Sequence, residues 1–340
     1  QVEPATIDTL VENGNAVRAQ GGLIILSAQS INTLQGGVIN STGNIEATGI
    51  VSRNGKIILD SGENGTSTVS GVIDVSNQNG AGGDITITAK DILVKGTTQL
   101  LARGSTGGGK IEVGGSWQNS DLSVKQAITT SIESGALLDA SATENGDGGT
   151  VVAWSDITNP DSVTTVDGTI LAKAGLQSGD GGNIETSGYK INYANATINA
   201  SSVNGNGGLW LIDPNTAYNV IDQTNADIIA SSLNNGTSVT NLVTGGDIAF
   251  YDNVSISKTS GGNATLILKT PNTIFMGRGS SIKSTSGELN IVLWSNLSNL
   301  GGRIELGDSV NLLSNGGDIT LGGGSNLSTG YADGLSVAHG

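Results

Sequence analysis

Five arginines, Arg18, Arg53, Arg103, Arg278 and Arg303, and one histidine, His339, are the side chains best suited to general acid–base or anion chemistry. Polysaccharide-cleaving sites need clustered acids with a basic group or a calcium ion in one groove. Here the arginines are scattered outside any carboxylate-rich string, and the histidine stands next to the last residue. No catalytic residue is assigned on this pattern. Asn145, Asp147 and Asp180 sit in glycine turns, where short oxygen-bearing side chains could converge on a hard cation. The tandem nonapeptide of calcium-binding β-rolls is absent, so a turn role is expected, with no metal and no cofactor. Tyr189, Tyr193, Trp210, Tyr218, Phe250, Tyr251, Phe275 and Trp294 gather the aromatic rings in the second half. Exposed rings can hold a sugar or anchor a partner, which makes Trp210, Tyr218, Tyr251 and Trp294 candidate ligand contacts. The competing expectation is that they fill an interior. Asn195, Asn199, Asn253 and Asn263 open Asn-x-Ser/Thr sequons and are candidate glycosylation sites.

These residues are set on a repeated unit. A glycine pair followed by a short alternating apolar run recurs at Gly21-Gly22-Leu23-Ile24, Gly82-Gly83-Asp84-Ile85, Gly148-Gly149-Thr150-Val151, Gly181-Gly182-Asn183-Ile184, Gly245-Gly246-Asp247-Ile248 and Gly316-Gly317-Asp318-Ile319. A second motif, as in Gly71-Val72-Ile73-Asp74 and Gly135-Ala136-Leu137-Leu138-Asp139, precedes the pair by a polar turn. A turn-plus-strand unit cannot bury its apolar face alone and must stack on its neighbours, so the chain reads as a solenoid. The fold expected is all-β, a right-handed parallel β-helix of about 13 coils, on the order of 60 Å long at about 4.8 Å per coil. Ile73, Leu138, Ile170 and Ile198 are predicted to stack as an inward ladder, with Asp74, Asp139 and Asn199 facing outward. The glycines are expected to serve positive φ or close approach of neighbouring coils.

The pattern changes at Leu211-Ile212-Asp213-Pro214, because proline offers no amide hydrogen to a ladder. Residues 224–235 then read as the one short helix, with Thr224 as N-cap, an apolar face of Ala226, Ile229, Ala230 and Leu233, and Gly236 as terminator. The helix is expected to lie against the side or end of the solenoid. The organisation predicted is a long-coil β-helix over 1–213, a connection with the helix over 214–236, and a continuation with shorter repeats over 237–340.

Glycine accounts for 53 of 340 residues, about twice the usual share of about 7%. The net charge is −15, and no basic cluster interrupts it. Such a surface is a poor match for nucleic acid or anionic lipid. No cysteine is present, which excludes disulfides and thiolate metal sites. No apolar run approaches 18 residues, so no membrane-spanning helix is expected. A first residue of Gln1 rather than Met points to a processed or excised segment.

The ordered series Gly146-Asp147-Gly148-Gly149-Thr150-Val151-Val152-Ala153-Trp154, Gly168-Thr169-Ile170, Gly179-Asp180-Gly181-Gly182, Leu211-Ile212-Asp213-Pro214 and the short helix resembles the filamentous haemagglutinin family of large exoproteins. Ser260-Gly261-Gly262-Asn263-Ala264-Thr265-Leu266 and Ser286-Gly287-Glu288-Leu289-Asn290-Ile291 continue that resemblance. The family consists of two-partner secretion substrates. The resemblance implies export through an outer-membrane barrel transporter of a Gram-negative bacterium, a β-helical fold outside the cell, and service as a cell-surface adhesin or its stalk. The partner so implied is a glycan or protein of a host or surface. The family's amino-terminal secretion signature is not visible, the only Asn-Pro being Asn159-Pro160, so the chain is expected to follow that domain. Two further classes stay open: a structural stalk or filament subunit that self-associates through solenoid ends, and a polysaccharide lyase, which the scattered arginines disfavour.

Overall fold

The structure, a computed structural model, describes residues 10–20, 22–28, 38–47, 55–330 and 332. Gly21, Arg53 and His339 lie outside the described residues. The coils contribute strands to three faces, and strands of successive coils pair in parallel within each face except where a helix interrupts the first two. The first face stacks seven strands from Leu10–Asn13 to Lys190–Asn192, and the second stacks seven from Ala16–Arg18 to Thr197–Asn199. The third runs unbroken through eleven strands, from Leu23–Ser27 to Ile319–Gly323. The described chain is therefore a parallel β-helix of eleven coils, fewer than the 13 expected from the sequence. The difference arises where residues leave the repeat, above all in an excursion over 114–127.

Strand alternation accounts for the core. In register down the second face, Ile45, Ile73, Leu100, Leu138, Ile170 and Ile198 form one inward column, none more than 3% exposed. The four members expected from the sequence are all present, and Leu100 and Ile45 join them. On the third face Ile57, Ile85, Ile111, Val151, Ile184, Trp210, Val239, Leu266 and Ile291 form the matching column, each fully buried. Each such side chain contributes roughly 1.5–3 kcal/mol by leaving water. Asp74, Asp139 and Asn199 share the next column with Leu101 and Leu171. Each accepts the amide two residues on, from Ser76, Ser141 and Ser201, at 2.8, 3.0 and 2.9 Å. These polar side chains are turn caps.

The glycine pairs are required by close approach. A Cβ on Gly109, Gly149, Gly182 or Gly208 would lie 2.1, 1.9, 2.1 or 2.0 Å from the carbonyl oxygen of the glycine one coil before. None of the four has positive φ. Their amides instead donate to Ala102, Ala140, Ala172 and Ala200 at 2.7 to 2.8 Å, which pinches each turn shut beside the alanine that closes the second-face strand. Positive φ is confined to other positions, among them Gly71 at 80° and Gly135 at 91°, where the chain turns from the first face to the second.

One helix, α1 (Gln223–Asn234), stands in the eighth coil between strands Tyr218–Ile221 and Ser238–Leu242. It occupies the place of a second-face strand, packed between Thr197–Asn199 of the coil before and Ser255–Lys258 of the coil after. It is thus built into the stack rather than laid against it. Ala226, Ile229, Ala230 and Leu233 face the core as the spacing predicts. The N-cap is Asp222, whose carboxylate accepts the Asn225 amide at 2.8 Å, not Thr224, which lies within the first turn. The strand Tyr218–Ile221 runs up to Asp222 and leaves it extended at φ −86° and ψ −180°, the geometry an N-cap needs.

Candidate functional site

Replacing a strand by a helix creates a packing problem that the sequence solves more fully on the second face than on the first. A helix is about 10 Å wide with its side chains, whereas neighbouring strands lie about 4.8 Å apart. The strand edges on either side of α1 would lose their backbone partners. Side chains from the helix ends stand in for them. Asn235 Nδ2 donates to the Ile198 carbonyl at 2.9 Å, and the Thr237 hydroxyl accepts the Ala200 amide at 2.8 Å. On the other side Gln223 exchanges two hydrogen bonds with Ser255, and Asn234 Oδ1 accepts the amides of Thr259 and Ser260.

On the first face the repair is partial, Asn225 Nδ2 donating to the Val220 carbonyl at 3.2 Å. The ladder stops at Lys190–Asn192 and restarts at Tyr218–Ile221 without pairing between them. A cavity of about 210 Å³ opens there, lined by Lys190, Ile191, Tyr193, Ile212, Pro214, Thr216, Tyr218, Asn219, Val220 and Asn225. Tyr193 is only 3% exposed and meets Trp210 edge to face at 5.3 Å between centroids. Its hydroxyl has no hydrogen-bond partner. An unpaired buried hydroxyl costs about 1–3 kcal/mol. Burial, and then the Asp222 carboxylate, hold the phenol well above its usual titration range. Nearby, Asn219 Nδ2 donates to Asn241 Oδ1 at 2.9 Å, and the Asn241 amide nitrogen is buried without a partner. Of these two orphaned groups Tyr193 lines the gap, and Asn241 lies behind it, bonded to the lining residue Asn219.

The sequence candidates separate by burial. Trp210 is fully buried in the third-face column, its Nε1 donating to Thr186 Oγ1 at 3.1 Å, so it offers nothing to an external ligand. Tyr218, 63% exposed, stands at the cavity, while Tyr251, 61% exposed, stands elsewhere on the surface. Trp294 is half-buried, with Nε1 donating to the Gly324 carbonyl at 2.7 Å and the Lys269 ammonium over its ring at 4.1 Å. Among the sequons, Asn253 and Asn263 are exposed, the latter bonded to Glu288 through both amide atoms. Asn195 is exposed and donates to Asp167 at 3.0 Å. Asn199 is half-buried and spends its oxygen on Ser201.

A second feature escaped the sequence reading. The excursion over 114–127 is closed at its base by the Ala127 amide bonding the Gly114 carbonyl at 2.8 Å, and it straps the outer side of the third face. Gln126 bonds Trp154 Nε1 at 2.9 Å, and the Gln118 amide donates to Glu185 Oε2 at 2.7 Å. Beneath it the outward column Glu112, Val152, Glu185 and Leu211 is buried, each at most 3% exposed. Glu112 is ion-paired with Lys110 at 3.0 Å. Burial pushes the Glu185 carboxyl up to about 7 against the lowering pull of Gln118 and Ser187, with the Asp213 carboxylate adding to the rise. Burial likewise raises Asp213 to about 6, against the Thr244 hydroxyl bonded to it at 2.8 Å. Among the described residues no group of three or more acids or histidines is placed to hold a metal ion.

No helix among the described residues is long and apolar enough to cross a membrane. Neither a protein-family profile nor a curated protein matches the chain. Among solved structures, the crystal structure of the HMW1 secretion domain from Haemophilus influenzae is similar at 28% identity with a TM-score of 0.50, over 60% of this chain. The match covers 49% of that chain, so this protein spans about half its length. In sequence and in fold, the described β-helix is similar to a domain whose name is its role in secretion.

Proposed function

We propose that this chain is part of a secreted β-helical exoprotein displayed on the surface of a Gram-negative bacterium, exported with an outer-membrane barrel transporter as its partner, and that its rod makes contact with other cells or surfaces. The similarity to the HMW1 secretion domain carries this reading. Because the likeness is to a secretion domain itself, the reading assigns part of this chain to the export step, where the sequence alone placed the chain after it. The surface supports an adhesive rather than a catalytic role. Tyr218 and Tyr251 are exposed rings, and the raised Glu185 carboxyl lies closed beneath the strap.

The test is to express the parent gene with and without the barrel gene beside it, and to follow protease accessibility at the cell surface. Surface exposure that depends on the barrel is the expected result; equal retention inside the cell in both cases would overturn the reading. Attachment is measured separately, as saturable binding of the purified chain to cells and glycan-coated surfaces.

One observation favours a second reading, a stalk that joins further coils. In the last described coil Leu306, Ile319 and Leu321 are 44%, 44% and 48% exposed, where their register partners Met276, Ile291 and Leu293 one coil before are fully buried. Concentration-dependent fibres in electron micrographs, without saturable binding to any surface, would select it.

A further inference from the structure

The cavity at the first-face gap has a mixed lining. Its floor is aliphatic, from Ile191, Ile212 and Val220, and an exposed ring, Tyr218, flanks it. The lining includes the amides of Asn219 and Asn225, whose nitrogens donate to Asn241 Oδ1 and the Val220 carbonyl, together with one ammonium from Lys190 and no carboxylate, in a chain with 30 acidic residues. Tyr193 lines it as well, with a buried hydroxyl that has no partner. The facing edges of Lys190–Asn192 and Tyr218–Ile221 have no strand between them, so backbone groups also border the opening.

From this arrangement we infer that the gap is a binding site for a single pyranose ring at the end of, or within, a surface glycan. A pyranose has an apolar face of C–H groups that stacks on an aromatic ring, and an edge of hydroxyls that pair with amides, phenols and backbone groups. The cavity matches both halves. Its volume of about 210 Å³ lies below the roughly 300–1,000 Å³ of sites for drug-sized molecules, which limits the occupant to about one ring. A ligand hydroxyl reaching Tyr193 satisfies a group that the fold leaves unpaired, so the bound state gains a hydrogen bond the free protein lacks. Trp210 holds the Tyr193 ring from its edge and thereby acts as a positioning residue, which accounts for a tryptophan in an otherwise aliphatic column.

This inference rests on the surface-contact reading and names what one part of the surface would touch. The test uses the purified chain with methyl β-glucoside, methyl β-galactoside and methyl β-glucuronide as probes, followed by saturation-transfer NMR and titration. Saturable binding of at least one glycoside is expected. Tyr218→Ala should weaken it by about tenfold, the loss of one stacking contact. Tyr193→Phe should weaken it about threefold or more while leaving the melting temperature equal to or above the parent's, because it removes an unpaired hydroxyl from the core. A merely structural Tyr193 would not separate these two readouts. Tighter glucuronide binding that Lys190→Gln abolishes assigns an acidic pyranose; equal binding of the three assigns a neutral one. If no glycoside saturates, or if both tyrosine variants bind as the parent does, the inference falls. Attachment to cells, measured in parallel, reports on the underlying reading: a chain that attaches but binds no glycoside overturns the cavity's role alone.

Discussion

At the scale of single residues, Glu185 carries the clearest energetic signature. Its folded carboxyl titrates near 7, against an ordinary value of 4.5, because the strap and the coil exclude water from it. A raised carboxyl means that the folded state holds its proton where the unfolded chain releases it, so stability falls as pH rises from about 4.5 through about 7. The difference is worth about 3 kcal/mol for Glu185. Asp213, raised to about 6, works in the same direction over a lower range. Denaturant midpoints should therefore decline between pH 5 and pH 8. Glu185→Gln should flatten much of that decline and exceed the parent at pH 8 by about 2 kcal/mol. Parallel profiles for parent and variant would show that Glu185 is hydrated. Lys258 is a buried charge handled differently: it points into the core with its ammonium donating to the carbonyls of Ser260, Gly261 and Ser286, three acceptors for three donors.

Among the elements, the glycine turns make the sharpest prediction because their requirement is spatial. Gly149→Ala places a Cβ 1.9 Å from the Gly109 carbonyl oxygen and should cost about 3 kcal/mol or more in chemical denaturation. Gly262→Ala, with nothing within 4 Å and no positive φ, should fall within about 1 kcal/mol of the parent. Equal losses at the two sites would refute the close-approach account. The same turns explain what was legible beforehand. A glycine pair fixes the phase of the alternation that follows, so Ile73, Leu138, Ile170 and Ile198 could be aligned into a column without coordinates. Leu100 was missed because its strand follows Gly96-Thr97-Thr98, which lacks the motif's spacing. The helix face was readable from its period. Its cap was not, since Asp222 and Thr224 stand two residues apart and only the end of the preceding strand decides between them. The candidate site was least legible. The gap follows from the width of a helix inside a strand stack, and the burial of Glu185 follows from Gln118, 67 residues away, so neither leaves a local pattern.

At the scale of the whole molecule, eleven coils at about 4.8 Å give a rod of about 50 Å. Past α1 its integrity depends on the third face, the one sheet that runs unbroken. Amide exchange should therefore be at least about tenfold faster in Lys190–Asn192 and Tyr218–Ile221 than in Leu209–Pro214 and Ser238–Leu242, which lie in the same two coils. Uniform protection across the three faces at that level would contradict the unpaired first-face edges. There is also a mechanical corollary. Most cross-sections of the rod share an axial pull among three parallel load paths, whereas the section through the helix transmits it by a single ladder, with side-chain tethers alongside. Tension along the axis would concentrate there and part the rod at a fixed height, which makes the helix a mechanical fuse whose position is written in the chain.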